Sequence, residues 1–271
     1  MDEPLISVVI PMFNSERTIE AALVSVKSQT WDGRFEIFVV DDGSTDGSRT
    51  VVENYIRENP GENIHLIIQE NAGVSAARNA GLRSGTGDYI ALLDADDLWY
   101  PEKTEIQMLF LKNNPGIDFL GCRVRGHTLR YPYSANQNGY SVISFRKLMF
   151  RNEIRTCTVL FKRNIIERCG FFDDGQRHGE DLNYWLRISE HFNMAILDEE
   201  LVSAGGGKRS FGVSGLSADL SAMERGFQKN LAEMRVAERI TLLEFSAYFL
   251  FYKGKYLVRI VRSFILKKLK K

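Results

Sequence analysis

Three aspartates stand close together in the segment Asp94-Ala95-Asp96-Asp97, which directly follows the apolar stretch 89–93. Carboxylates at this spacing repel one another and raise one another's pKa, so they are costly to hold at the end of a buried strand. A hard divalent cation such as Mg²⁺ or Mn²⁺ removes that cost, because it prefers oxygen ligands and can bridge to phosphate oxygens. The segment therefore predicts a metal–phosphate site.

The carboxylates of this segment are expected to have different tasks. Asp96 is predicted to ligate the metal, and Asp94 to accept hydrogen bonds from ribose hydroxyls. Asp97 is expected instead to cap or charge the first turn of the next helix, which Pro101 opens.

Other side chains that follow the first strands could hold the rest of a nucleotide sugar. Asp41 or Asp42 can accept a hydrogen bond from the N3–H of a uracil-like base, and Gly43 permits the sharp turn that exposes them. Phe13 offers a ring for stacking, and Arg78 can reach a phosphate or the edge of the base. Simpler explanations remain open: a polar turn after the second strand, a core position for the ring, and a solvated arginine.

A second acidic pair, Glu180 and Asp181, opens a stretch whose apolar residues recur at helical spacing. Acidic residues favour a helix N-terminus, so the pair could serve the helix alone. The functional alternative is a general base that takes a proton from an acceptor hydroxyl as the hydroxyl attacks the anomeric carbon of a sugar. A metal beside it would stabilise the departing nucleoside diphosphate.

These residues need a scaffold, and strand and helix signals alternate along the first half of the chain. Strands are predicted at 6–10, 35–40, 64–68 and 89–93, with helices between them. Such a pattern predicts a Rossmann-like, mostly parallel α/β sheet flanked by helices. Four polar clusters each follow one of the strands: Asn14, Asp41-Asp42, Asn71 and Asp94–Asp97. Because ligands collect beyond the carboxyl ends of parallel strands, these clusters are expected to meet at one edge of the sheet.

The second half of the chain is less regular. Strands are predicted at 119–124, 128–133 and 158–161, and helices at 144–151 and 180–191. A glycine-rich loop follows at 205–215, and the chain is expected to be mostly helical from Ala218 on. The sequence is therefore divided into a nucleotide-sugar-binding and catalytic domain at 1–215 and a helical, basic C-terminal extension at 216–271.

Composition sets the broad class of the protein. The 271 residues, 44% of them hydrophobic, suffice for one α/β domain with an appendage. Three cysteines without paired or metal-ligand spacing are typical of a reducing compartment. The first residues lack the pattern of a signal peptide, and no apolar run approaches the roughly 18 residues of a membrane span. A cytoplasmic location is expected, or one at the inner face of the cell membrane.

The C-terminal tail carries eight positive charges and no acidic residue after Glu244. Removing those eight from 35 basic residues leaves 27 against 35 acidic ones, so the rest of the chain carries −8. This distribution favours an anionic surface over nucleic acid as a partner. One face of a helix in the tail would be apolar: Leu257, Ile260, Val261, Phe264 and Ile265. The helix could lie on a membrane surface as a peripheral contact, or pack on the domain with a solvated basic end.

With these residues in place, the chain resembles the family 2 glycosyltransferases of GT-A fold. The stretches that carry the resemblance are Ser7-Val-Val-Ile-Pro11-Met-Phe-Asn14, Val39-Val-Asp-Asp-Gly-Ser-Thr-Asp46, Asn71-Ala-Gly-Val-Ser-Ala-Ala-Arg78-Asn79-Ala-Gly81, Leu92-Leu-Asp-Ala-Asp-Asp97 and Gly179-Glu-Asp181 with Trp185 and Arg187. They occur in the family's order and spacing over about residues 5–190. Each is weakly specific, whereas the set is highly specific.

The resemblance implies an inverting, metal-dependent transfer from a nucleotide-diphosphate sugar, with a UDP-sugar favoured. By position, the matching functional residues are the base-reading acids Asp41 and Asp42, Arg78 near the base and phosphates, the pair Asp94 and Asp96, and the catalytic base Asp181 with Glu180 beside it. Pro11, Phe13, Asn14 and Ala95 lie in the matching stretches and are expected to contact the nucleotide sugar. The implied cofactor is Mn²⁺ or Mg²⁺.

The Gln/Arg-x-x-Arg-Trp motif of processive, polymerising members is absent from the sequence, so addition of a single sugar is expected. The acceptor would be a glycan or a lipid-linked sugar in cell-surface polysaccharide or glycolipid biosynthesis. One alternative is a nucleotidyltransferase, but the loop after the first strand, Pro11-Met-Phe-Asn-Ser15, lacks the glycines that such an enzyme needs. The other is a non-catalytic nucleotide-sugar-binding protein of the same fold.

Overall fold

The computed structural model describes residues 3–205 and 219–268, with side chains up to residue 265. The strands are β1 (Leu5–Met12), β2 (Arg34–Asp42), β3 (Ile64–Gln69), β4 (Tyr89–Leu92), β5 (Leu98–Trp99), β6 (Phe119–Val124), β7 (Tyr140–Ile143), β8 (Leu160–Lys162) and β9 (Met194–Ser203). The helices are α1 (Ile19–Lys27), α2 (Ser48–Glu58), α3 (Val74–Ser84), α4 (Lys103–Asn113), α5 (Phe145–Phe150), α6 (Asn164–Cys169), α7 (Glu180–Ile188), α8 (Leu220–Val236) and α9 (Leu242–Lys268), with a 3-10 turn at Thr156–Thr158.

The strands of the described residues form one mixed sheet in the order β3-β2-β1-β4-β8-β6-β9-β5, with β7 paired to β9. Strands β3, β2, β1 and β4 run parallel, so their carboxyl ends share one edge. Strand β8 runs antiparallel to both of its neighbours, β4 and β6. The predicted α/β class with a helical C-terminal region is confirmed, and its parallel part is the half that carries the polar clusters.

Both faces of the sheet are covered, which explains why its strands read as continuous apolar runs. In β1, Val8 belongs to one buried cluster and Val9 to another on the opposite face. Helices α1, α2 and α4 cover the first face, and helices α3, α7 and the C-terminal pair α8–α9 cover the second. The C-terminal helices thus share a core with α7, through residues such as Leu231 and Tyr252 packed in the cluster of Trp185. The predicted domain boundary at 215 lies outside the described residues.

Several element boundaries differ from the sequence-based expectations. Strand β1 continues through Pro11, because at that point β1 pairs with β2 alone and the missing N–H costs no ladder bond on the other side. The predicted strand at 128–133 is wrong, since these residues form no strand and Pro132 lies in a turn with a cis peptide bond. Helix α1 begins at Ile19, and in the turn before it the carbonyl of Ser15 accepts a hydrogen bond from the N–H of Thr18.

Helix α8 lies very close to the loop before α7. A Cβ added at Gly226 would sit 2.0 Å from the carbonyl oxygen of His178, whereas one added at Gly254 of α9 would meet no atom within 4 Å. We expect Gly226→Ala to lower the free energy of unfolding by about 1–3 kcal/mol through overpacking, and Gly254→Ala to raise it by about 0.5–1 kcal/mol through helix propensity. Thermal unfolding followed by circular dichroism measures both. Equal melting temperatures for the two variants would contradict this packing.

Among the described residues, no helix is both long and apolar enough to cross a bilayer.

Candidate functional site

A cavity of about 1990 Å³ opens at the carboxyl edge of β1 and β4 and runs to the N-terminus of α7 and the side of α9. Nine of the eleven residues predicted for the site line it: Pro11, Phe13, Asn14, Arg78, Asp94, Ala95, Asp96, Glu180 and Asp181. The parallel topology of β1 and β4 and the position of α7 bring these residues together from distant parts of the sequence.

Arg78 joins the two acidic segments of the site. Its Nη2 lies 2.9 Å from Asp94 Oδ1 and its Nη1 lies 3.1 Å from Glu180 Oε1. The guanidinium is buried, and although burial alone would lower the pKa of Arg78, the charges of Asp94 and Glu180 raise it. Arg78 is therefore a permanent cation between β4 and α7, and its predicted contact with a phosphate or base stays a prediction.

The end of β4 gathers oxygen ligands around a buried thiol. Ligand atoms of Asp94, Asp97 and Cys157 all lie within 4.8 Å of one another. Burial raises the pKa of the Cys157 thiol well above its usual value, so it stays protonated and is a poor metal ligand. Asp96 is exposed and faces the same cavity. The donor set available for a cation is thus made of carboxylate oxygens, which suits Mg²⁺ or Mn²⁺.

Asp97 does not cap the next helix, which corrects the expectation from sequence. Helix α4 begins at Lys103, well beyond it, and the buried Asp97 carboxylate accepts a hydrogen bond of 2.5 Å from the N–H of Gly205. Burial, together with the charges of Asp94 and Asp96, raises the pKa of Asp97 to about 7. A cation at this position would offset the repulsion, so Asp97 is a candidate ligand that sequence reasoning assigned elsewhere.

The N-terminus of α7 presents a carboxylate adapted to accept a proton. Burial and the neighbouring charge of Glu180 raise the pKa of Asp181 to about 7, although the backbone N–H of Leu182 and the charge of Arg78 oppose the shift. The amide of Asn152 donates a hydrogen bond of 3.0 Å to Asp181 Oδ2 and fixes its orientation. Glu180 is bound to Arg78. Asp181 is therefore the carboxylate of the pair that is available to accept a proton in the cavity.

At the opposite end of the cavity, the loop after β1 offers an aromatic face. Phe13 is 50% exposed, so it is not a core residue. Asn14 adopts a left-handed backbone conformation with φ of 50°, and its side-chain oxygen accepts a hydrogen bond of 2.8 Å from the N–H of Thr45. This contact ties the loop after β1 to the turn after β2 and holds the ring at the cavity wall.

Asp41 and Asp42 do not line the cavity, and both carboxylates have partners within the protein. Asp42 is buried and accepts hydrogen bonds of 2.8 and 2.9 Å from the N–H groups of Ala72 and Gly73, so it holds the loop between β3 and α3. Asp41 is fully buried and is bound by Arg49 Nε at 3.2 Å. Their predicted contact with the nucleotide base stays a prediction. It requires the present partners either to move away or to share the carboxylate oxygens with the base.

Several site residues were missed by sequence reasoning because no local signal marks them. Thr156 donates a hydrogen bond of 2.9 Å to Asp94 Oδ2, and Asn152 binds Asp181. Asn152 lies in an irregular segment after α5, and Thr156 opens the short 3-10 turn before β8; neither stretch has helical or strand periodicity. Their role depends on tertiary placement alone.

Known proteins are similar in sequence to this chain. A model of the glycosyl transferase family 2 matches residues 7–174. The chain is 31% identical over 201 residues to the UDP-Glc:alpha-D-GlcNAc-diphosphoundecaprenol beta-1,3-glucosyltransferase WfgD of Escherichia coli, covering 73% of this chain and 75% of that protein. It is 31% identical over 223 residues to an uncharacterized glycosyltransferase of Rickettsia conorii, covering 78% of this chain but 35% of that longer relative.

Solved structures with low sequence identity show the same fold. The S. aureus protein TarS in complex with UDP-GlcNAc has a TM-score of 0.71 at 19% identity, covering 95% of this chain and 73% of that one. The mannosyltransferase PcManGT of Pyrobaculum calidifontis, in complex with GDP-Man and Mn²⁺, has a TM-score of 0.69 at 20% identity, covering 99% and 76% of the two chains. Because the family match extends over most of the α/β sheet that builds the cavity, this chain belongs to glycosyl transferase family 2.

Proposed function

We propose that the protein is an inverting, metal-dependent glycosyltransferase that moves one sugar from a nucleotide-diphosphate sugar to a hydroxyl acceptor. The observation that carries the proposal is that the carboxylates following β4 and the carboxylate of Asp181 meet in one cavity, where Arg78 bridges Asp94 and Glu180. Membership of glycosyl transferase family 2 favours this reaction over nucleotidyl transfer.

The residues divide the reaction between them. Asp94, Asp96 and Asp97 would hold Mn²⁺ or Mg²⁺, which when bound neutralises charge on the leaving nucleoside diphosphate. Asp181 accepts the proton of the acceptor hydroxyl as its oxygen attacks the anomeric carbon. Phe13 offers a stacking face for the base at the far end of the cavity.

We favour a UDP-sugar as the donor. A relative of 31% identity is named for UDP-Glc, and a solved structure of the same fold contains UDP-GlcNAc. The same relative is named for an acceptor sugar on a lipid diphosphate. A glycan or lipid-linked acceptor in cell-surface polysaccharide or glycolipid synthesis is accordingly our proposal for this chain.

The C-terminal helix supports a peripheral membrane contact. One side of α9 packs on the protein through residues such as Tyr252, whereas the other side exposes large apolar residues, among them Leu243 at 81% and Leu250 at 70%. Apolar surface of this kind on a helix rich in lysine and arginine is typical of helices that lie in a membrane interface. We propose that this side of α9 contacts the inner face of the cell membrane.

Thermal shift with a panel of nucleotide sugars tests the function most directly. A ligand that binds the folded state alone raises the melting temperature by mass action. We expect a UDP-sugar to raise it in the presence of Mn²⁺ and to have little effect when EDTA is present. The absence of any shift with UDP-, GDP- and dTDP-sugars in Mn²⁺ would refute the proposal.

The pKa of Asp181 sets an expected pH dependence of turnover. A general base works in its deprotonated form, and burial holds the pKa of Asp181 at about 7. At saturating donor and Mn²⁺ we expect kcat to fall about tenfold per pH unit below 7 and to level off above it. Initial rates measured from pH 5 to 9 check this. A rate constant unchanged between pH 5.5 and 8 would exclude Asp181 as the base.

A further inference from the structure

A cluster of cations lies in the same cavity as the acidic site but plays no part in the mechanism above. Arg151 follows α5, and Lys255 and Arg259 stand one turn apart on the inner side of α9. We define these three residues as the cationic cluster. We propose that the cationic cluster is a subsite for a diphosphate group carried by the acceptor. This assignment rests on the proposed glycosyl transfer.

The ammonium group of Lys255 is held in place by contacts that do not include a carboxylate. Its Nζ donates a hydrogen bond of 3.1 Å to the carbonyl of Phe150 and lies 5.0 Å from the ring centroid of Phe251. Within the part of the chain that the structure describes, no carboxylate lies within ion-pair distance of this Nζ. Burial and the charges of Arg259 and Arg151 lower the pKa of Lys255 to about 8. A bound anion would relieve this repulsion.

The neighbours of the cluster leave an excess of positive charge. Arg151 Nη1 lies 3.2 Å from Glu153 Oε1, while its buried Nε has no hydrogen-bond partner among the described residues. Glu224 faces Arg259 from α8 and is also paired with Lys253, at 3.2 Å. The cluster and Lys253 supply four cations against the two carboxylates Glu153 and Glu224, which leaves a net charge of +2 and matches an anion of more than one charge.

The position of the cluster explains why the anion would belong to the acceptor. Arg151 precedes Asn152, whose amide binds the candidate base Asp181, and consecutive Cα atoms are about 3.8 Å apart. A sugar whose anomeric carbon carries a phosphate or diphosphate could place that group on the cluster and one of its hydroxyls at Asp181. The volume of about 1990 Å³ is also roughly twice that of a large small-molecule pocket, so there is room for a second ligand beside the donor.

Binding of inorganic pyrophosphate and octyl diphosphate to the full-length protein tests the assignment. Isothermal titration calorimetry with pyrophosphate in EDTA tests whether the cationic side chains bind the anion without a metal. Octyl diphosphate is titrated in a second experiment, after UDP and Mn²⁺ have bound. We expect wild type to bind both, and Lys255→Met and Arg151→Met each to raise Kd about tenfold or more. Lys255→Met keeps the apolar stem that packs on Phe251, and the exposed Lys112→Met is the matched control.

The variants also separate this assignment from the proposed function. We expect Lys255→Met to bind UDP with Mn²⁺ like wild type, and Asp96→Ala to lose UDP but still bind pyrophosphate in EDTA. Failure of wild type to bind pyrophosphate without metal, or equal Kd values for wild type and both cluster variants, would overturn the subsite. Binding of pyrophosphate without octyl diphosphate would exclude a substituted diphosphate, and loss of UDP binding in Lys255→Met would assign the cluster to the donor.

Discussion

Asp181→Asn is expected to bind a nucleotide sugar and Mn²⁺ like wild type while turning over about 10²- to 10⁴-fold more slowly, the usual contribution of a general base. The replacement keeps the shape of the side chain and an oxygen that can accept the hydrogen bond from the Asn152 amide, so the local structure is preserved. It removes the negative charge and the capacity to take a proton at the pKa of about 7 that burial gives Asp181.

Single-turnover rates and donor titrations on the same preparation measure the two effects separately. Asp32→Asn, an exposed aspartate outside the cavity, is the matched control and is expected to behave like wild type. Normal turnover by Asp181→Asn would show that another group is the base, and a parallel loss of donor affinity would show that Asp181 shapes the donor site.

Asp96→Ala is expected to remove metal-dependent nucleotide binding. Removing a side chain that only orients a metal ligand weakens metal affinity by about 10–100-fold. Removing a carboxylate ligand itself is therefore expected to weaken metal affinity by about 100-fold or more. Asp96 faces the cavity from an exposed position, so truncating it leaves no buried gap and the fold is expected to persist. Fluorescence or calorimetric titration of UDP at several Mn²⁺ concentrations measures the change.

The comparison that isolates this effect is Asp32→Ala, which removes an exposed carboxylate away from the cavity. It should leave the Mn²⁺ dependence of UDP binding unchanged. If Asp96→Ala retains wild-type affinity at low Mn²⁺, the cation is held by Asp94 and Asp97 and the assignment of Asp96 as a ligand is wrong.

The sheet and its polar edge were predictable because their signals are local. Consecutive buried residues in β1 and β2 read directly as strands, and topology then fixes where the residues after them must lie. The helix signal at Glu180 likewise placed Asp181 in the first turn of α7. The order of these elements was therefore enough to predict one edge rich in carboxylates.

The contacts across the cavity were not predictable from the sequence. Arg78 and Glu180 are 102 positions apart, and nothing near either residue indicates the other. Asn152 lies in an irregular segment without periodicity. The basic residues of the C-terminal tail predicted contact with an anionic surface, and nothing in the sequence indicated that one side of α9 lines the cavity. Asp97 was misassigned because a carboxylate before a helix is commonly a cap, whereas here the chain makes a short strand, β5, before α4 begins.

The way α9 is attached bears on how shortened versions of this protein would behave. Tyr252 donates a hydrogen bond of 2.6 Å to the carbonyl of Met149, next to the segment that carries Asn152. A chain cut before Leu242 would lose one cavity wall and a buried anchor at the same time. An inactive fragment of that kind would report damage to the architecture, and it could not be used to judge the chemistry of the carboxylates.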